Sequence, residues 1–184
     1  MTTDRGSVLT AARLTLGVDP SFNRTGWAVL THEDGSTLSM VACGIVTPSG
    51  QSRGQRLESI QRQFSDVLAR WTPREAYFER PGNWQRREGS RRETIEVMAM
   101  ARGVMLATCA EKRVPAWEID FHTVRRALLG RGNANAAMLV DFVTSQGLPP
   151  PFRPRGAVDL DVANAIAMAI FGMMLSKEST VSTR

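Results

Sequence analysis

Three acidic side chains lie at the borders of apolar segments that are far apart in the sequence. Asp19 follows an apolar strand, Glu79 follows Ala76-Tyr77-Phe78, and Asp161 opens an apolar helix. A carboxylate in apolar surroundings is costly to bury unless a cation pairs with it. The pattern therefore predicts that these three acids share one metal site.

Two-metal phosphodiester cleavage is the chemistry that such a set could perform, because it needs carboxylates around two cations about 3.5–4 Å apart. Mg²⁺ prefers oxygen ligands and keeps some of its own waters, so a few carboxylates suffice. Asn164 follows Asp161 by three positions, which places both side chains on one helix face. The helix N-terminus also favours an ionised carboxylate at Asp161.

Each acid also has a purely structural interpretation. Asp161 or Asp159, taken alone, is more typical of a helix N-cap than of a metal ligand. The dipeptide Asp19-Pro20 is common in turns. Glu79 could form an ion pair with one of two arginines, Arg80 or Arg102. The metal-site hypothesis therefore depends on the ordered set and not on any single residue.

The hydrophobic pattern predicts the elements that must position these acids. Alternation bounded by turn residues predicts strands at 13–18, 25–31, 38–46, 75–79 and 114–119. Helical spacing predicts helices at Arg53–Trp71, 93–112, Phe121–Leu129, from a cap at Asn133 to near Gly147, and at 161–176. Hairpin strands followed by alternating helices and strands predict an α/β fold, a mixed sheet with helices on both faces.

The length and composition suit one folded domain. The 184 residues are 42% hydrophobic and 22% charged. We expect a disordered leader at 1–12, the domain at 13–176 and a flexible tail at 177–184. No uninterrupted apolar run is expected to span a membrane, and the N-terminus does not resemble a signal peptide. Two cysteines and two histidines are too few for a disulfide framework or a His-rich zinc site. These absences favour the cytoplasm.

The charge of the chain favours a polyanionic partner. The net charge is +5, and all of the 23 basic residues except Lys112 and Lys177 are arginines. The arginine fork matches phosphate oxygens bidentately, so nucleic acid is the simplest partner. A GC-rich genome would also raise the arginine content, and composition alone does not decide between the two.

Five segments together resemble the RuvC family of Holliday-junction resolvases. They are LGVDPSFNRTGW at 16–27, YFER at 77–80, ARGV at 101–104, TVRRALLGRGNA at 123–134 and DVANAIAMAI at 161–170. The resemblance implies an RNase H-like fold with a five-stranded mixed sheet and a homodimer with two active sites. It also implies two Mg²⁺ or Mn²⁺ ions per site and paired symmetric nicks in four-way branched DNA.

The resemblance assigns the metal ligands residue by residue. The family's first-strand aspartate falls on Asp19, its fourth-strand glutamate on Glu79, and the first ligand of its last helix on Asp161. The second ligand of that helix, usually an aspartate, falls on Asn164, whose neutral carbonyl oxygen can ligate a cation without adding charge. Either Asn164 suffices, or Asp159 completes the site, or cleavage is weak.

This departure keeps other functions open. One is a junction-binding protein whose cleavage is weakened or lost, and another is a nuclease for other branched DNA or RNA–DNA hybrids. An actin-like or sugar-kinase ATPase is disfavoured, because the chain lacks a second phosphate-binding turn and the length for a second subdomain.

The resemblance also points to DNA contacts. Arg125 falls on a basic position that contacts the scissile-strand phosphate and belongs to the catalytic set, whereas a second basic position falls on Ala136 and Arg131 could compensate. The loop after Glu79 is long and arginine-rich, and Trp84 could stack on an unpaired base or fold back onto the domain. The candidate phosphate contacts near that loop are Arg80, Arg86, Arg87, Arg91 and Arg92. Three residues of the first turn either steady Asp19, touch the DNA backbone or stabilise the turn: Ser21, Asn23 and Arg24.

The helix at 93–112 carries a methionine-rich stripe that is either core or interface. Because the family dimerises partly through this helix, we expect Ile95, Met98 and Met105 to contribute to an isologous contact. The sequence leaves open whether a branch-migration motor is a further partner.

Overall fold

The computed structural model describes residues 13–33, 37–80, 92–149 and 159–181. The expected leader and four residues proposed to contact DNA lie outside the described residues: Trp84, Arg86, Arg87 and Arg91. The strands are β1 (Thr15–Asp19), β2 (Thr25–Glu33), β3 (Thr37–Val46), β4 (Glu75–Arg80) and β5 (Ala116–Asp120). The helices are α1 (Arg53–Trp71), α2 (Arg92–Glu111), α3 (Phe121–Leu129), α4 (Ala136–Ser145) and α5 (Leu160–Val181).

The five strands form one mixed sheet in the order β3-β2-β1-β4-β5. The first three strands pair as antiparallel neighbours, whereas β4 lies parallel to β1 and β5 lies parallel to β4. The predicted α/β fold with a five-stranded mixed sheet is therefore confirmed. Because β1 and β4 are parallel neighbours, their carboxyl ends meet at the same edge of the sheet.

Side chains alternate between the two faces of the sheet, so each strand contributes to two cores. Leu16 and Val18 of β1 pack with Phe64 of α1 and Met105 of α2 on one face. On the other face α5 crosses β1, β2 and β4. Its residues Ala165, Ile166 and Ala169 pack with Ala28 and Leu30 of β2. Its residues Ala163, Ala167 and Met168 pack with Tyr77 of β4. The last helix is therefore the central element of the second layer.

Two glycines let the backbone of α5 touch the sheet. A Cβ atom on Gly17 would lie 1.9 Å from the carbonyl oxygen of Ala165, and one on Gly26 would lie 2.1 Å from that of Asp161. No side chain fits at such distances, so only glycine permits this approach. The contacts set the height and position of the first turns of α5 above the end of β1.

The hydropathy of α5 differs from the sequence expectation. Within the described residues, Leu160–Lys177 is long and apolar enough to cross a membrane by length and composition. Asn164 and Gly172 interrupt its apolar run, but the mean hydropathy of the segment stays high enough for a membrane-spanning helix. In the fold, however, 61% of this segment is buried, mostly against the sheet. The apolar composition of α5 is that of a core helix.

The ends of two helices also differ from the prediction. Asn135, not Asn133, caps α4, and its side chain accepts a hydrogen bond from the Met138 backbone N–H at 3.0 Å. Asn133 precedes the cap in the turn after α3, where Ala134 N–H donates to the Arg131 carbonyl. The last helix continues past Ser176 to Val181, through part of the segment predicted as a flexible tail. No glycine or proline occurs there to end it.

The interface role predicted for Met105 is wrong. This side chain of α2 is fully buried in the core that α1 and α2 form with the sheet, so it is unavailable to a partner. Ile95 and Met100 of the same helix are instead exposed. The methionine stripe is thus divided between a core-facing side and an outward side.

Candidate active site

Asp19 and Glu79 lie side by side at the carboxyl ends of β1 and β4. Val18 pairs with Phe78 in the parallel register, so the next residue of each strand is Asp19 or Glu79. Alternation places both acids on the face covered by α5, two residues beyond Gly17 and Tyr77. The two carboxyl groups are close enough to share a hydrogen bond.

Burial of the two acids favours their protonated forms. Burial, followed by repulsion from Asp19, raises the pKa of Glu79 to about 9. Burial also raises the pKa of Asp19 to about 6, although the Asn164 hydrogen bond opposes this shift. A protonated Glu79 donating to an ionised Asp19 accounts for the hydrogen bond between them. Near neutral pH the metal-free pair therefore keeps a proton.

The stability of the metal-free protein is predicted to depend on this proton. Because the pKa of Glu79 is raised from 4.5 to about 9, the folded state binds more protons than the unfolded state between these values. The free energy of unfolding should therefore fall as pH rises through this window. In EDTA, Glu79→Gln should remove most of the fall in Tm between pH 5 and 9, a change of about 4 °C or more. Thermal denaturation followed by circular dichroism measures it.

Glu58→Gln, at an exposed position of α1, is the matched control and should keep the wild-type profile. A Glu79→Gln variant with the same pH dependence as wild type would show that this carboxyl is not the buried acid that the fold places there.

Asn164 joins the acidic pair from α5. Its side-chain Nδ2 donates to Asp19 Oδ2 at 2.9 Å. The close contact of α5 with Gly17 brings the helix low enough for this hydrogen bond. The structure thus brings three of the four predicted ligands, Asp19, Glu79 and Asn164, into one contact group.

Asp161 lies nearby but is engaged with an arginine. Arg24 Nε donates to Asp161 Oδ2 at 2.9 Å, and Arg24 Nη2 donates to Asp159 Oδ2. The charge of Asp161 still raises the pKa of Asp19, so the two carboxylates sense each other. Within the residues that the structure describes, no group of three or more His, Cys, Asp and Glu side chains stands ready to hold a metal ion.

The contacts of Arg24 were missed by sequence reasoning, which connected this residue with Asp19, with the DNA backbone or with stabilisation of the turn. Its carboxylate partners lie 135 and 137 positions away, and no local pattern signals such a pairing. The other two turn residues have structural contacts. Ser21 exchanges hydrogen bonds with Thr25, and Asn23 Oδ1 accepts one from Arg56.

Arg125 of α3 lies close to the acidic pair. Its charge lowers the pKa of both Asp19 and Glu79, opposing the effect of burial. The guanidinium carbon lies 4.5 Å from the centre of the Phe121 ring, and the Nε atom is buried without a hydrogen-bond partner among the described residues. This arginine therefore has donor capacity left for an anionic group.

Asp120 is a neighbouring acid that sequence reasoning did not single out. It ends β5, pairs in register with Arg80, and its charge raises the pKa of Glu79. Its side chain accepts a hydrogen bond from the His122 backbone N–H at 3.3 Å and so caps α3. Its position at the end of a parallel strand is the signal that could have found it.

The remaining candidates lie at the ends of elements or in a turn. Arg80 is the exposed last residue of β4, Arg92 opens α2, and Arg131 is exposed in the turn that precedes Ala136. The alternative pairing of Glu79 with Arg102 is wrong, because Arg102 Nε contacts Glu118 Oε1 at 2.6 Å.

Comparison with known proteins bears on this acidic edge of the sheet. A family model described as "Crossover junction endodeoxyribonuclease RuvC" matches residues 15–171, which include all four predicted ligands. The chain belongs to the RuvC family. A RuvC of Ruegeria pomeroyi is 31% identical over 169 residues, covering 92% of this chain and 96% of that protein. A RuvC of Roseiflexus sp. is 32% identical over 164 residues, covering 88% and 90%.

Solved structures agree on the fold. Thermus thermophilus RuvC matches with a TM-score of 0.74 at 22% identity, covering 91% of this chain and 97% of that one. The same protein in complex with a Holliday junction substrate matches with a TM-score of 0.77. The yeast mitochondrial Holliday junction resolvase Ydc2 matches with a TM-score of 0.59 at 12% identity, covering 85% and 77%. The RNase H-like fold expected of a RuvC family member is confirmed.

Proposed function

We propose that this RuvC family member is a metal-dependent endodeoxyribonuclease that resolves four-way DNA junctions by paired symmetric nicks. The observation that carries the proposal is the contact group of Asp19, Glu79 and Asn164, with Asp161 on the same face of α5. The related Thermus thermophilus protein has been solved with a Holliday junction substrate. The same chemistry in this chain would require its oxygen donors to hold divalent cations.

The donor set fits Mg²⁺ or Mn²⁺. It consists of carboxylate and amide oxygens, which are the ligands that hard divalent cations prefer. Asp19 and Glu79 are partly buried and lie so close together that they keep a proton, and a cation would replace that proton. We propose that Asp19, Glu79, Asp161 and Asn164 hold two cations per site. When bound, the cations would activate a water and stabilise the leaving oxygen.

The side chains of the protein have separate tasks in this proposal. Asp19 and Glu79 would hold the cations as carboxylates and would release their shared proton to solvent. Asn164 fixes the Asp19 carboxylate through its 2.9 Å hydrogen bond. Arg125 directs its remaining donor capacity to the phosphate that is cut, where it would stabilise developing negative charge.

Arginines around the site would bind the DNA backbone. Arg80 is exposed at the carboxyl end of β4, next to Glu79, and Arg131 is exposed in the turn that follows α3. Each arginine can contact a phosphate bidentately without reading the base sequence. We propose the same phosphate-binding role for four arginines between β4 and the start of α2: Arg86, Arg87, Arg91 and Arg92. For Trp84 we propose stacking on an unpaired base.

A homodimer would place two such sites on one symmetric junction. The outward side of α2 exposes Ile95 and Met100, and a Cβ atom on Gly103 would meet nothing within 4 Å. An apolar side with such a gap suits close contact with a second copy of the helix. We also propose that a branch-migration motor is a further partner, which co-purification would test. The proposed compartment is the cytoplasm.

A second candidate is a junction-binding protein with weakened or lost cleavage. Asn164 favours it, because one carboxylate of the family's usual set is replaced by a neutral amide. A further alternative is a nuclease for other branched DNA or RNA–DNA hybrids, since phosphate-binding arginines alone do not select a four-way substrate.

A nicking assay decides among these functions. Wild-type protein with Mg²⁺ or Mn²⁺ is expected to nick a four-way junction at least about a hundredfold faster than three-way DNA, linear DNA or an RNA–DNA hybrid. Asp161→Asn should abolish nicking, because it removes an anionic ligand. Asp141→Asn, at an exposed position of α4, should cut like wild type.

Each other outcome selects an alternative. Tight, salt-sensitive junction binding without nicking in either cation would identify the binding protein. Equal rates on all branched substrates, or preference for the hybrid, would identify the broader nuclease. Undiminished cutting by Asp161→Asn would remove Asp161 from the metal site.

A further inference from the structure

Arg24 contacts two carboxylates that differ in their exposure to solvent. Its Nη2 atom contacts Asp159, whose side chain is only 8% exposed, and its Nε atom contacts Asp161, whose side chain is 30% exposed. Removal of one partner from a buried pair is costly, whereas a partly exposed pair is weak and exchangeable. The contact with Asp159 is therefore durable, and the contact with Asp161 can be given up.

The backbone that carries Arg24 is fixed at this position. Ser21 N–H donates to Thr25 Oγ1 at 2.9 Å, and Thr25 Oγ1 donates to the Ser21 carbonyl at 2.8 Å. Gly26 packs against the first turn of α5 so closely that a Cβ atom there would overlap the Asp161 carbonyl oxygen. Arg24 thus reaches the two acids from a rigid turn held against the helix that bears them.

Among the four proposed ligands, Asp161 is the one whose described contact is with Arg24 and not with Asp19 or Glu79. Asp19 and Glu79 contact each other, and Asn164 contacts Asp19. Asp161 instead pairs with Arg24, and the described residues contain no ready-made cluster of three acids for a metal. A cation that recruits Asp161 must compete with the guanidinium for its oxygens.

We propose that Arg24 is a positioning residue that holds Asp161 beside the metal centre until a divalent cation replaces it, with Asp159 as its permanent anchor. The inference rests on the proposed metal-dependent function and concerns how its site is loaded. Arg24 supplies a positive charge that offsets Asp161 before loading. After loading it stays with Asp159, and the two-point contact becomes a one-point contact.

Direct Mn²⁺ binding without DNA tests the proposal. The unbound ion is followed by electron paramagnetic resonance in titrations of four proteins: wild type, Arg24→Gln, Arg24→Lys and Arg56→Gln. Arg24→Gln is expected to bind Mn²⁺ about three- to tenfold more tightly, because a partly exposed ion pair competes only modestly. Arg24→Lys keeps the charge without the fork and should show a smaller tightening.

Arg56→Gln is the matched control. Arg56 contacts Phe22 and Asn23 of the same turn but neither acid, so its replacement should leave the Mn²⁺ affinity unchanged. Circular dichroism establishes that each variant is folded. If Arg24→Gln does not fold, the affinity of Arg24→Lys and a crystal structure of the wild type with Mn²⁺ decide. In that crystal the contact between Arg24 and Asp159 should persist and the contact with Asp161 Oδ2 should be broken.

The outcomes separate this inference from the function on which it rests. A wild-type protein that binds no Mn²⁺ overturns the proposed metal-dependent function. Wild-type binding with equal or weaker binding by Arg24→Gln overturns the role of Arg24 alone. If Arg24→Lys binds Mn²⁺ with the wild-type affinity, the charge matters and the two-point contact does not, and the proposed positioning role of Arg24 is overturned. Tighter binding by both Arg24 variants, with Arg56→Gln unchanged, supports it.

Discussion

Asp19→Asn is expected to lower the rate of junction nicking by at least about a thousandfold, because a metal-held transition state loses several kcal/mol of charge stabilisation. Asp19 is the central member of the site: it contacts Glu79 and accepts the hydrogen bond from Asn164. Junction affinity should stay within about threefold of wild type, because binding depends mainly on phosphate contacts. Single-turnover nicking and a binding titration on the same four-way DNA measure the two effects.

The same substitution should not destabilise the metal-free protein. An asparagine at this position can still accept the hydrogen bond from Asn164, and it removes the repulsion that raises the pKa of Glu79. We therefore expect a Tm in EDTA equal to or above that of wild type. Asp141→Asn is again the matched control. A variant that loses binding or unfolds together with its cleavage would show that Asp19 is structural.

Asn164→Asp is expected to separate the stability of the protein from its metal affinity. The change replaces the Nδ2 donor with an acceptor and adds a carboxylate beside two partly buried acids. An unsatisfied or repelled buried group costs about 2 kcal/mol, so the metal-free Tm should fall by about 4–8 °C. The added charge should tighten Mg²⁺ binding about tenfold, because ligand charge sets affinity at oxygen sites.

Thermal denaturation in EDTA and in Mg²⁺ measures both changes, and the nicking rate at subsaturating Mg²⁺ should rise. Asn164→Ala is the comparison variant: it loses the donor without adding charge, so it should lower the Tm without tightening Mg²⁺ binding. If the aspartate variant binds Mg²⁺ no more tightly than wild type, Asn164 is not a ligand.

The sequence was sufficient for the parts of the fold that local patterns determine. The bounds of α1 and α3 agree with the prediction, and the strand ends at Asp19 and Glu79 were located to within one residue. These bounds depend on hydrophobic periodicity and on turn residues, both of which are visible in the sequence. The meeting of the two acids was predicted only on the condition that their strands are neighbours, and the parallel pairing of β1 with β4 supplies that condition.

Other features depend on packing over long distances along the chain. The pairing of Arg24 with Asp159 and Asp161 depends on the close packing of α5 against Gly17 and Gly26 of the sheet. The burial of Met105 depends on which side of α2 meets α1, and a helix that is apolar on several sides does not reveal this. Asp120 stands at the end of a strand, as Asp19 does, but only the placement of β5 beside β4 shows that it lies close to Glu79.

The glycine contacts beneath α5 have a consequence for protein engineering. Libraries that aim to change substrate preference should spare Gly17 and Gly26, because even a single methyl group there would push α5 away from the sheet and displace the proposed metal ligands Asp161 and Asn164 together. Diversity is better directed to the exposed surface around Arg80 and Arg131, the proposed DNA contacts, where a new side chain does not touch the packing of α5 on the sheet.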